Sequence, residues 1–178
     1  DACDIEIDET DPARFVDIVR SIAPTFGGIN LEAIKAPECF EIDAGLAGHC
    51  GIPVMHDDQH GTAVIVGAAL INALQVQGKS IGSVRLVVNG AGAAATACTR
   101  LMIALGIRRD NAVLCDSKGV ITTSRHNLTP QKAEFATTRT DVVTLVDAVR
   151  DADVFVGLSV ADVLTPAMLA SMARRPVV

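Results

Sequence analysis

The chain has 178 residues, 49% of them hydrophobic, with a net charge of −6, five cysteines and neither Trp nor Tyr. That is apolar material for one large domain or two small ones. There is no secretory signal and no apolar run long enough to span a bilayer, so a soluble protein without a membrane partner is expected. Residues 1–60 hold 13 acids against 3 bases, and residues 61–178 hold 8 against 12. An acidic half suits a divalent cation and a basic half suits phosphates, although solvated surface accounts for most of these side chains equally well. A basic half this dilute, in a chain this poor in aromatic residues, argues against nucleic acid. Cys3, Cys39, Cys50, Cys98 and Cys115 are scattered, with no C-x-x-C pair. Reduced thiols in a cytoplasmic protein fit that pattern better than disulfides or zinc.

In chain order, Cys3 to Asp8 alternates with period two and reads as a half-buried strand. Asp11 and Pro12 open a helix with Phe15, Ile18, Val19 and Ile22 on one face, and Pro24 ends it. The segment 27–32 is a loop running into a short strand, and a second helix begins at 37–42 and closes at Gly48 or Gly51. Ile52 to Met55 forms a strand that delivers the adjacent carboxylates Asp57 and Asp58. Gly61 to Gln77 is almost all Ala, Val, Ile and Leu, with Gly78 as its stop, which predicts a buried helix joining two lobes.

From Val84 the rhythm becomes strand, turn, helix, strand: Val84 to Val88, a helix from Gly92 to Leu105, a strand from Ala112 to Cys115, a helix from Thr140 to Val149, a strand from Asp153 to Val156, and a helix capped by Thr165 and Pro166. This predicts a Rossmann-like doubly wound parallel sheet over 61–178, preceded by part of an α/β substrate and metal domain over 1–60. The chain opens in a strand pattern and stops at Pro176-Val177-Val178 where another strand begins, so a piece of a longer protein is expected.

Two constellations carry chemistry. Gly90-Ala91-Gly92-Ala93-Ala94-Ala95 has the form G-x-G-x-x-A between an apolar strand and a helix. Small residues there let the backbone approach a pyrophosphate at the positive end of the helix. Asp116 ends the next strand, where an acid meets the adenine ribose. The adjoining Ser117 and Lys118 lean toward a 2′-phosphate, hence NADP over NAD, although Asp116 would oppose that phosphate. The bland alternative is a tight packing turn that binds nothing. Adjacent carboxylates at a strand end repel each other and need solvent, a partner or a cation. Asp57 and Asp58 are therefore candidates for Mg²⁺ or Mn²⁺ or for proton transfer, with Glu32 as a further ligand. Against this stands the reading of an N-cap beside a surface charge. His56 and His60 share a helical spacing but lack a third soft ligand for zinc.

Taken together, Pro24 to Glu32, Lys35 to Phe40, Ile52 to Thr62, Gly90 to Ala95 and Cys115 to Ile121 resemble bacterial malic enzyme, in order and over essentially the whole chain. The resemblance implies oxidation of malate with NAD or NADP and a divalent cation, then decarboxylation to pyruvate and CO2, the cation acting as Lewis acid. It further implies metal ligation by Glu32 and Asp58, a supporting catalytic role for Asp57, pyrophosphate binding by Gly90 to Ala94, ribose contacts from Asp116, Ser117 and Lys118, and a homo-oligomeric parent. Two departures stand out. Ala33 occupies the position of the family's middle metal ligand, which predicts weakened cation binding. The family's Tyr acid and Lys base lie upstream of the matched region, and none of Lys35, Lys79, Lys118 and Lys132 falls in the corresponding motif, so this piece alone is expected to be inactive. The alternatives are a non-catalytic dinucleotide-binding or regulatory module, which Ala33 favours, and another two-domain dehydrogenase, which the run from His56 to His60 disfavours.

Overall fold

The computed structural model describes residues 2–178, which divide into two compact units, the first ending at Asp58 and the second beginning at Gln59. In the first unit, helix α1 (Pro12–Ile22) starts where expected: the Asp11 side chain accepts from the Arg14 N–H and Pro12 supplies a pre-set first residue. Strand β1 (Ile29–Leu31) pairs in parallel with β2 (Val54–His56), Leu31 lying opposite His56. Helix α2 (Glu38–Leu46) lies between them in sequence. Val19, Leu31, Ile42 and Leu46 form the buried centre. The helices approach closely because Gly45 has no side chain; a Cβ there would sit 2.9 Å from Val16 Cγ2.

The strand expected over Cys3 to Asp8 does not form. Alternation gives those residues a face, and Ile7 uses it to pack on the core, but β1 and β2 take each other as neighbours and leave 3–8 without a ladder. The strand before the acid pair is displaced from 52–55 to 54–56.

In the second unit a π-helical turn, Asp57–Gly61, which spans the division between the units, leads into α3 (Thr62–Gln77), closed by Gly78 in the left-handed conformation. The sheet is built from β3 (Leu86–Asn89), β4 (Ala112–Asp116), β5 (Gly119–Val120) and β6 (Val154–Gly157). Its order is β5-β4-β3-β6, with β3 parallel to both β4 and β6 and only β5 antiparallel. Alternate residues serve two cores. Leu86, Val88, Ala112, Leu114 and Val154 pack under α3 and α4 (Ala93–Ala104), while Val87, Val113, Cys115 and Phe155 pack under α6 (Leu145–Val149) and α7 (Pro166–Ser171). A central strand covered on both faces must be apolar throughout, which is why β3 reads as an unbroken run. The fold is a Rossmann-like α/β arrangement.

Two expectations change here. Helix α3 is buried along one stripe only, through Ala63, Gly67, Leu70 and Leu74; Ile65 is 71% and Val76 81% exposed. Composition identified an apolar helix but not which of its faces is covered. The helix expected from Thr140 begins at Leu145, because the Val143 carbonyl accepts from the Val120 N–H and the Thr144–Asp147 capping box fixes the start. A short helix α5 (Pro130–Glu134) also interrupts a segment that the pattern left unassigned.

The start of the parallel strands is tied by Asp153, which accepts from Lys79 Nζ at 2.6 Å and from the Arg85 N–H at 2.9 Å. Burial pushes this carboxyl up, but the Lys79 and Arg85 hydrogen bonds outweigh it and hold it below its ordinary value. A carboxyl lowered on folding contributes stability above its unfolded pKa and loses it as pH falls through the folded one. Asp153→Asn is therefore expected to cost about 1.5 kcal/mol at neutral pH, with the difference from wild type fading below about pH 4; urea titrations across that range check it.

Candidate functional site: a glycine turn and a neutralised acid

Strand β3 has parallel neighbours on both sides, so the chain reverses its winding direction there and leaves a crevice beyond the carboxyl ends of the strands, where ligands of such sheets bind. The structure has a cavity of about 740 Å³ at that point, lined by Asn89 to Gly92, Asp116 to Gly119, Lys132, Thr144, Leu145, Leu158 to Val160 and Val163. The loops around it are pinned to one another. The Gly90 N–H donates to the Cys115 carbonyl, the Leu158 N–H to the Asn89 carbonyl, and Asn89 Nδ2 to Ser159 Oγ at 2.6 Å.

The two glycines of the turn do different work. Gly90 has φ +134, and a Cβ there would lie 2.4 Å from the Leu158 carbonyl oxygen, so both conformation and contact demand glycine. Gly92 is exposed, extended and faces open space, with nothing within 4 Å of a built Cβ. It caps α4, whose first N–H groups lack intrahelical partners and carry the positive end of the dipole. Such donors are where an anion is bound at a helix start, and Gly92 puts no side chain in its way. The turn is thus open to a pyrophosphate, and the residues present fit a dinucleotide.

Asp116 sits where the sequence placed it, but not alone. Arg125 donates to both its oxygens at 3.0 and 2.9 Å, Lys132 Nζ donates at 2.9 Å, and the Lys118 N–H at 2.9 Å. Burial alone would push this carboxyl up; the Arg125 and Lys132 hydrogen bonds and the Lys118 amide override it and hold the group far below the usual carboxylate range. One half-buried anion facing two side-chain cations leaves the Asp116 end of the cleft net positive. Arg125 and Lys132 were not legible as site residues: they lie nine and sixteen positions past Asp116, in the segment without periodicity. Asn89 and the Leu158 to Val160 loop were missed as well, since nothing in a β-strand's end announces that it lines a crevice. Ser117 and Lys118 line the cleft beside Asp116.

The acidic constellation belongs to the first unit. Leu31 and His56 are in register, so Glu32 and Asp57 follow at the same end of two adjacent parallel strands. Glu32 accepts from Asn30 Nδ2 at 2.7 Å, Asp57 is half-buried, and Asp58 is exposed. Burial pushes the Cys39 thiol up against a backbone hydrogen bond, and the charges of Asp43, Glu38 and Asp58 add to the rise. Ala33, between the strand and the next turn, is left-handed at φ 57. Among the described residues no three His, Cys, Asp or Glu side chains gather into a set able to hold a metal ion. A complete cation site does not fit the residues present.

Residues 59–178 match the sequence model of a family described as malic enzyme, NAD binding domain. The chain belongs to the malic enzyme family. It is 53% identical over 175 residues to an NADP-dependent malic enzyme of Halomonas elongata, covering 98% of this chain and 41% of that protein. It is 52% identical over 179 residues to an NADP-dependent malic enzyme of Escherichia coli, covering 100% of this chain and 24% of that protein. Among solved structures, an NAD-dependent malic enzyme from Thermotoga maritima superposes with a TM-score of 0.90 at 38% identity, covering 97% of this chain and 46% of that one. The chain therefore spans less than half of each of these proteins, and about a quarter of the Escherichia coli one. Malic enzymes named for NADP and for NAD both appear among them, so family membership leaves the choice of dinucleotide to the residues of the cleft.

The turn makes a paired prediction. Gly90→Ala should destabilise the fold by about 3 kcal/mol through backbone conflict. Gly92→Ala should fold normally but lose about tenfold in dinucleotide affinity, because its methyl enters the approach to the helix. Thermal unfolding alongside NADPH fluorescence titration separates the two effects.

Proposed function

We propose that this chain is the dinucleotide-binding part, with an adjoining acidic element, of an enzyme that oxidises and decarboxylates malate to pyruvate and CO2, and that NADP is its preferred dinucleotide. The observation that carries the reading is the open glycine turn lying in one cleft with a neutralised Asp116. A bare carboxylate at that position would favour ribose hydroxyls and repel a 2′-phosphate. With Arg125 and Lys132 already on it, its charge is offset, and the remaining donors of Lys118 and Lys132 face the cleft. Bound there, the dinucleotide would supply the hydride acceptor. The chain's own residues would seat its pyrophosphate on the amides of Gly92 to Ala94 and its 2′-phosphate on Lys118 and Lys132, and Leu145, Leu158 and Val163 would shield the cleft from water. Arg125 takes both oxygens of Asp116, so Lys132, with one contact there, keeps ammonium donors for the ligand, as does Lys118.

In the acidic unit Glu32 and Asp58 offer two carboxylates for Mg²⁺ or Mn²⁺ where the family pattern has three, and we assign Asp57 the supporting role beside them. A second reading, a dinucleotide-binding module without catalysis, is favoured by one observation: Ala33 contributes no ligand. Malate-dependent reduction of NADP⁺ by the intact protein in the presence of Mn²⁺ decides between them, since retained NADPH binding without turnover would select the module. In the same assay, Lys132→Ala should lower the preference for NADP over NAD by one to two orders of magnitude, the usual worth of a charged hydrogen bond.

Position 33 generates its own test. Asp is among the few residues enriched in the left-handed region, so Ala33→Asp should be accepted by the backbone while adding the missing carboxylate. Mn²⁺ titration is expected to show at least tenfold tighter binding than wild type; unchanged affinity would contradict the ligand-deficit account.

A further inference from the structure

Lys132 stands on a helix of five residues, Pro130–Glu134. A helix that short has no independent stability, so whatever fixes it from outside fixes Lys132. The excursion 121–137 that carries it leaves and rejoins the sheet edge at one point: Thr122 bridges Thr137, the Thr137 N–H donates to the Ile121 carbonyl, and the Thr123 N–H to the Thr137 carbonyl. Just past α5, Phe135 is plugged into the core at 2% exposure. Arg109, in the turn before β4, places its guanidinium 5.7 Å from the Phe135 ring centroid and donates through Nη2 to the carbonyls of Glu134 and Ala136 at 3.0 and 3.1 Å. Arg100, on α4, lies 5.9 Å from the same ring and holds the Glu134 carboxylate at 3.0 and 2.6 Å.

Among these groups Arg109 grips the backbone itself. Its two acceptors flank Phe135, at the end of α5 where helix carbonyls lack intrahelical donors and a cation is favoured. A planar fork held against a ring and two carbonyls fixes both the position and the rotation of the α5 end. Arg109 does not line the cleft.

We propose that Arg109 is a positioning residue for cofactor preference, acting through α5 to hold Lys132 against Asp116. This rests on the reading that the Lys132 side of the cleft takes a 2′-phosphate. Without Arg109 the α5 end is released, Lys132 leaves Asp116 part of the time, and the carboxylate is then less fully offset just where the phosphate must sit. The loss falls on ligands carrying a 2′-phosphate and spares those without one.

The experiment is calorimetric titration of the intact protein with adenosine 2′,5′-bisphosphate and with adenosine 5′-monophosphate, which share every group except the 2′-phosphate. Arg109→Ala should weaken the bisphosphate about tenfold and leave the monophosphate within twofold. Arg109→Lys keeps the charge and one donor, falls between wild type and alanine, and carries the test alone if the alanine variant does not fold. Equal weakening of both nucleotides would show a structural role only, and no change in either would show no role; each overturns the proposal. Lys132→Ala measured in parallel isolates the underlying reading: if it leaves bisphosphate affinity unchanged, the 2′-phosphate assignment itself has failed.

Discussion

The site is organised around a carboxylate that cannot be left uncompensated. Asp116 ends a buried strand with a side chain only 9% exposed, and an anion so placed needs partners. Arg125 and Lys132 supply them from the excursion that the Thr122–Thr137 bridge and the buried Phe135 return to the sheet edge. That pairing converts the Asp116 end of the cleft from acidic to basic.

The rest of the cleft follows from packing. With β3 covered on both faces and flanked on both sides, the loops after β3, β4 and β6 are drawn together, and contact between Gly90 and the Leu158 carbonyl leaves no room for a side chain. Opening for a ligand occurs two residues later, at Gly92. A close approach and an open one thus lie within three residues: Gly90 is required by the fold, whereas Gly92 leaves space at the start of the helix.

Periodic elements were legible. The Asp11–Pro12 start, the α3 stop at Gly78, the strand from 112, the strand expected over 84–88 and found at Leu86–Asn89, and the capped last helix all depend on local signals that the sequence displays directly. What failed depended on partners. Cys3 to Asp8 alternates as a strand should, yet pairs with no strand among the described residues; Val143 is drawn off its helix by the Val120 amide; and the exposed face of α3 is as apolar as its buried one. Of the residues that line the cleft, Gly90, Gly92, Asp116 and Lys118 are marked by motif and spacing. Arg125 and Lys132 are not, because a tertiary ion pair has no period. Ala33 was visible as a missing carboxylate, whereas its left-handed backbone was not.

The most direct measurement is a crystal structure of the intact protein with NADP⁺. The expected result is pyrophosphate oxygens on the amides of residues 92 to 94 and the 2′-phosphate within hydrogen-bond distance of Lys118 and Lys132, with Arg125 still paired to Asp116. Ribose hydroxyls bound directly to an Asp116 stripped of its cations, or a dinucleotide seated anywhere other than this cleft, would contradict it.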